Sequence, residues 1–109
     1  MDMKTTDLCD NNPEKVRVAE PSGFRDFGGL KNFFGKIQTV KCLEDDSYVR
    51  KALEQNGTGK ILVVDGGSLM KCALLGDMLG ELAIKNKWSG IIVNGCIRDS
   101  LALSQLPLG

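Results

Sequence analysis

Two short stretches hold the residues best suited to chemistry. The first is Gly76-Asp77, directly ahead of a segment from about Met78 to Asn86 whose apolar residues Leu79, Leu82 and Ala83 recur at helical spacing. The opening amides of a helix have no intrahelical carbonyl to bond and sit at its positive end, so an anion such as a carboxylate can be held there. Gly76 keeps side-chain bulk off that approach. Asp77 reads either as the N-cap of the helix or as a functional carboxylate. The second stretch is Gly95-Cys-Ile-Arg98-Asp99, which follows the apolar run Ile91-Ile-Val93. Arg98 offers a planar fork of donors that matches a carboxylate. Asp99 offers the hard oxygen that magnesium prefers. Adjacent on a turn, the two can serve one pocket from different sides; they can equally form an exposed ion pair or cap a following helix.

Composition narrows the chemistry further. The 109 residues suit one small domain. There is no histidine, which removes Ser-His-Asp and Cys-His machinery and histidine-ligated zinc. Catalysis then falls to carboxylates, Arg, Lys, backbone amides, a thiol or a metal held through oxygen. Cys9, Cys42, Cys72 and Cys96 form no CxxC pair and read as small buried thiols rather than a disulfide framework. Basic and acidic residues balance at 14 each, with no long run of one sign, so no nucleic-acid groove or anionic membrane surface is expected. No apolar run is long enough to span a bilayer, and Met1 to Asp10 lacks the apolar centre of a secretory signal. The expectation is a cytoplasmic protein.

The elements that must position the two stretches are legible as an alternation of strands and helices. Thr5 to Asn12 reads as a short helix capped by Thr5 or Thr6 and stopped by Pro13. Glu20 to Gly35 is rich in Gly and contains every Phe of the chain, and reads as an irregular arm whose rings anchor it to a core or to a neighbouring subunit. Lys36 to Cys42 reads as a strand. Asp45-Asp46-Ser47 reads as a capping cluster for a helix from Ser47 to Gln55, with Val49, Ala52 and Leu53 inward, ended by Asn56-Gly57. Ile61-Leu-Val-Val64 and Ile91-Ile-Val93 read as buried strands, Met70 to Leu75 as a short apolar piece, and Leu101 to Leu106 as a last helix capped by Asp99 or Ser100. This is an α/β domain with mixed or parallel pairing. Ligands in such sheets sit at the carboxyl ends of strands, beside helix N-termini, where both stretches fall.

Other motifs read more plainly. Asn56-Gly-Thr-Gly-Lys60 superficially suggests a P-loop, but Glu54 stands where its first glycine belongs and Ile61 where Ser or Thr must be, and it precedes a strand; it reads as a turn. Asp65-Gly-Gly-Ser68 reads as a strand-ending turn that needs positive φ, or as a wall of a pocket. Glu81 and Lys85 read as a solvated pair on a helix face.

Taken together, Ile61-Leu-Val-Val-Asp-Gly-Gly-Ser68, Cys72-Ala-Leu-Leu-Gly-Asp-Met-Leu-Gly-Glu-Leu-Ala83 and Trp88-Ser-Gly-Ile-Ile-Val-Asn-Gly-Cys-Ile-Arg-Asp-Ser100 resemble the family shared by the regulator of ribonuclease E activity A and the class II 4-hydroxy-4-methyl-2-oxoglutarate aldolases, formerly labelled demethylmenaquinone methyltransferases. Thr6-Asp-Leu-Cys-Asp10 and Phe24-Arg-Asp-Phe-Gly28 are similar to it as well. The resemblance implies a swivelling β/β/α-type domain with a mixed sheet and flanking helices, assembled as a homotrimer with sites at subunit interfaces. It implies a Mg2+- or Mn2+-dependent lyase that cleaves 4-hydroxy-4-methyl-2-oxoglutarate or 4-carboxy-4-hydroxy-2-oxoadipate, with oxaloacetate decarboxylation as a side activity. It assigns Asp99 to the metal, Arg98 to the pyruvyl part of the keto-acid substrate, Asp77 to a metal-bound water that moves protons, and the amides of Met78, Leu79 and Gly80 beside Gly76 to the substrate carboxylate.

The chain departs from the family pattern in two ways. Gly80 stands where many members carry Ala. Members also run on beyond the equivalent of Gly109, adding strands and an acidic residue given to the neighbouring subunit's metal site. The expectation is a C-terminally shortened domain, either active as an aldolase, acting as a ribonuclease regulator through protein contact, or inactive.

Overall fold

A computed structural model describes residues 4–18, 24–42, 47–67 and 73–109. In chain order its elements are α1 (Thr5–Asn11), β1 (Lys36–Lys41), α2 (Ser47–Leu53), β2 (Lys60–Asp65), β3 (Ala73–Leu75), α3 (Asp77–Lys85), β4 (Gly90–Asn94), β5 (Cys96–Ile97) and α4 (Ser100–Ser104). The α/β class expected from the sequence is the one observed. A three-stranded sheet runs in the order β1-β2-β4, and a separate two-stranded piece pairs β3 with β5. All these ladders are parallel. An isolated antiparallel bridge joins Thr58 to Trp88.

β2 is the centre of the fold. Its run of branched apolar residues suits a strand flanked on both sides, and Leu62 and Val64 are fully enclosed. They meet Val49 and Leu53 of α2, Leu79 and Ala83 of α3, Trp88, and Leu103 and Leu108 near the C-terminal end. Each such enclosed side chain contributes about 1.5–3 kcal/mol by leaving water. β4 is apolar too, yet Ile91, Ile92 and Val93 are only half-buried. The reason is position: β4 lies at the edge of its sheet. β1, the other edge, is exposed along most of its length, and Ile37 stands open.

The outer side of β4 is touched by backbone from far along the chain. Ile91 N–H donates to the Gly109 carbonyl (3.1 Å) and Gly109 N–H to the Ser89 carbonyl (3.2 Å). The arm then bonds to the same segment, through Gly29 N–H to the Leu106 carbonyl (2.9 Å) and Leu30 N–H to the Leu108 carbonyl (3.1 Å). A Cβ on Gly28 or Gly29 would collide with those carbonyls, so close approach of two backbones explains the glycine pair. The Phe33 ring lies against Gly90 and Gly109, which anchors the arm as its aromatic content predicts. Phe24 and Phe34 remain exposed.

Trp88 holds α2 to α3. The sequence marks it only as part of a turn, but it is buried, and its indole N–H is shared between the carbonyls of Leu53 (3.3 Å) and Gln55 (3.2 Å). Asn86 Nδ2 also donates to the Leu53 carbonyl (2.7 Å), so the end of α2 is satisfied by side chains of the segment after α3. The Asn56–Lys60 stretch is a turn, as expected: Asn56 Oδ1 accepts from the Thr58 amide (3.1 Å) and hydroxyl (2.7 Å), and Gly59 takes φ +71° on entry to β2. Asp65-Gly66-Gly67 is likewise a turn, with Asp65 Oδ1 accepting from Gly67 N–H (3.0 Å) and Gly67 at φ +68°.

Several local expectations are corrected. Neither Thr5 nor Thr6 caps α1; Lys4 takes the N-cap position, with no side-chain bond. α2 and α4 each end about two residues early, because the chain tightens at Gln55 and at Gln105 into short-range carbonyl bonds. The pairing of Cys96–Ile97 as a strand is additional. The Asp45-Asp46 capping cluster, Ser68 and the Met70–Cys72 piece lie outside the described residues. Cys42 is buried, as its reading as a small buried thiol expects, whereas Cys9, on α1, is only half-buried.

Candidate active site

The site is assembled where β3 and β5 run side by side. β3 ends at Leu75 and leads through Gly76 into α3; β5 ends at Ile97 and leads through Arg98-Asp99 into α4. Parallel pairing puts both exits at the same end. The Arg98 amide donates to the Leu75 carbonyl (2.9 Å), which fixes one exit against the other.

Gly76 is the N-cap of α3, with extended backbone (φ −135°, ψ −174°), and as a glycine brings no side chain of its own to cap the helix. Asp77 is therefore the first helical residue and not its cap, which settles one of its two sequence readings. The Gly80 N–H already donates to the Gly76 carbonyl (3.0 Å). Of the amides at this end, that of Gly80 is thus bonded within the helix, while those of Asp77, Met78 and Leu79 have no helical carbonyl to bond. Gly80 has a different place, since a Cβ there would press into Leu103 and Leu106, so the glycine lets α4 seat closely on α3. Met78 is exposed (67%) and Leu79 buried.

Asp99 has an unusual backbone. It is the N-cap of α4 in the left-handed region (φ 58°, ψ 40°), a conformation that costs most side chains about 1–2 kcal/mol and that Asp tolerates better than most. Its carboxylate does not cap its own helix. It turns to α3 instead, where Oδ2 accepts from the Asp77 N–H at 3.4 Å. The same oxygen lies 3.6 Å from Arg98 Nε. A Cβ on Gly76 would stand 3.0 Å from both Arg98 Nε and Asp99 Oδ2, so the absence of a side chain there leaves room for the pair. Both side chains are open to solvent (72% for Arg98, 41% for Asp99), and at that exposure the ion pair itself adds little to stability.

Gly76, the backbone N–H of Asp77, Arg98 and Asp99 thus lie together, and Met78 and Leu79 follow in the first turn of α3. The described donors are oxygen only, and no group of three or more Asp, Glu, Cys or His suited to a metal occurs among the described residues. One or two carboxylates with the remaining positions left to water and substrate is the pattern that suits Mg2+ or Mn2+ rather than a closed structural cage. What sequence reasoning missed is the left-handed backbone at Asp99; only the Asp residue type hints at it. No described helix is long and apolar enough to cross a membrane.

Similar proteins are longer chains. A protein from Aromatoleum aromaticum, provisionally named 4-hydroxy-4-methyl-2-oxoglutarate aldolase, is 53% identical over all 109 residues, which span 68% of its length. One of the same provisional name from Laribacter hongkongensis is 52% identical with the same coverage. Among solved structures, the RNA-processing inhibitor RraA from Thermus thermophilis superposes with a TM-score of 0.90 at 41% identity, covering all of this chain and 65% of that one. A Geobacillus kaustophilus protein titled S-adenosylmethionine: 2-dimethylmenaquinone methyltransferase superposes at 0.93 with 44% identity, covering 98% of this chain and 66% of that one. Residues 5–109 match the family described as RraA-like, Aldolase/RraA, and the chain belongs to that family.

Proposed function

We propose that the chain is a divalent-metal-dependent aldolase that cleaves 4-hydroxy-4-methyl-2-oxoglutarate or 4-carboxy-4-hydroxy-2-oxoadipate to pyruvate and a second keto acid, and that it decarboxylates oxaloacetate as a side activity. The observation that carries this reading is the convergence of Arg98-Asp99 on the start of α3. The provisional aldolase name of relatives above 50% identity supports it.

The chemistry follows from the residues. The substrate carboxylate is received by the open amides of Met78 and Leu79, at the positive end of α3. Arg98 brings a permanent cation to the pyruvyl oxygens, where charge builds as the carbon–carbon bond breaks. In that step the bonding pair passes to the pyruvyl C3 and is delocalised onto the C2 oxygen, while the C4 hydroxyl loses its proton and becomes a carbonyl. C3 then regains a proton to give pyruvate. Asp77, at the first turn of α3, is the group assigned to carry that proton. Asp99 would hold Mg2+ or Mn2+, which when bound supplies Lewis-acid polarisation of the 2-oxo group. A homotrimer in the cytoplasm is part of the same reading.

A lactate dehydrogenase-coupled assay with oxaloacetate and Mg2+ tests it. Turnover that disappears with chelator and in Arg98→Ala is the expected result. A folded chain, matched to the wild type by circular dichroism, that shows no turnover with either metal overturns it. The structural likeness to an RNA-processing inhibitor favours a second reading, in which the chain regulates a ribonuclease by protein contact. Inhibition of ribonuclease E that is indifferent to chelator and to Arg98→Ala would select it.

A further inference from the structure

The carboxylate proposed for the metal is engaged by the protein itself. Asp99 Oδ2 takes the Asp77 N–H, the first of the open amides of α3, and lies within ion-pair distance of Arg98 Nε. The Asp77 N–H adjoins the Met78 and Leu79 amides proposed for the substrate carboxylate, and Arg98 is the group proposed for its pyruvyl oxygens. Gly76 leaves the pair room to close over the start of the helix. Asp99 achieves this by giving up the capping of its own helix and adopting a left-handed backbone.

We infer that Asp99 is an internal latch: its carboxylate competes with the substrate carboxylate for Arg98 and for the start of α3, and it is released only when a divalent cation claims Oδ2. The inference rests on the aldolase reading. It makes loading ordered, cation first and keto acid second. The physical basis is that one carboxylate oxygen cannot neutralise the guanidinium and the helix terminus while leaving both free for another anion. The apparent affinity for an anion is then lowered by the fraction of molecules in which the latch is shut.

Oxalate is the probe, because it is a stable two-carboxylate anion resembling the pyruvyl unit. Calorimetric titration of the 109-residue chain without metal is expected to show weak binding for the wild type. Asp99→Asn removes the charge and keeps the size; Asp99→Gly removes the side chain and accepts a left-handed backbone. Both are expected to bind oxalate about five-fold tighter or more than the wild type without metal. A second readout needs no substitution: Mg2+ alone, added to the wild type, shifts the Asp77 amide and Arg98 Nε–H resonances. Metal-free variants that bind oxalate no tighter than the wild type overturn the latch, as does an Asp77 amide unmoved by Mg2+, while leaving the aldolase reading intact. Wild-type chain that fails to bind oxalate even with Mg2+ overturns both.

Discussion

Asp99 and Asp77 are 22 residues apart in sequence, yet the carboxylate of one accepts the backbone N–H of the other at 3.4 Å. The contact joins the start of α4 to the start of α3. It brings the residues proposed for the metal and for the substrate carboxylate into a single geometry, so substitutions here should separate function from folding.

Asp99→Gly is the sharpest case. It removes the carboxylate but suits the left-handed backbone, so the unfolding free energy should stay within about 1 kcal/mol of wild type. Mg2+-dependent oxaloacetate turnover should fall by roughly two orders of magnitude or more. Urea denaturation and the coupled assay, run on the same sample, check both halves.

Arg98→Lys keeps the charge and loses the planar fork. The side chain is exposed, so stability is unaffected. Turnover efficiency should drop by about 10- to 100-fold if the guanidinium bonds the pyruvyl unit through two donors. Steady-state kinetics at saturating Mg2+ would show it, and an unchanged kcat/KM would remove Arg98 from the site.

Trp88→Phe removes the indole N–H together with part of the buried ring system. The Leu53 and Gln55 carbonyls lose their shared donor and a small cavity opens beside them. A loss of about 1–3 kcal/mol is expected, read from the urea midpoint, with the metal requirement of the assay unchanged.

Gly57→Ala approaches the same joint from the other side, since its Cβ would enter the Trp88 ring. Overpacking of about 1–3 kcal/mol should result. Loss in Gly57→Ala and in Trp88→Phe should combine non-additively, because both act on one contact.

How much of this could be read from the chain depends on how local the cause is. The Ile61–Val64 run announces a central strand because its side chains need cover on both faces. Asn56-Gly57 and Asp65-Gly66-Gly67 announce turns because their chemistry is contained within a few residues. Gly76-Asp77 and Arg98-Asp99 stand out by residue type, but the tie between them is invisible, since it depends on β3 pairing with β5. Cys96–Ile97 is too short to show a period. Asp77 looks like a cap until Gly76 is seen to fill that position. Trp88 reads as a turn residue because its partners, the carbonyls of Leu53 and Gln55, are backbone groups with no sequence signature.

The parallel ladders have a kinetic consequence. Lys36 pairs with Lys60, Ile61 with Gly90, and Ala73 with Cys96, so each register closes a long loop before it returns any stabilisation. High contact order slows folding. The β3–β5 piece is short and its helices begin only after both strands are placed. The catalytic-type pair should therefore be among the last features to form and the first to open, and hydrogen exchange at the Asp77 and Arg98 amides should run ahead of exchange at Leu62 and Val64.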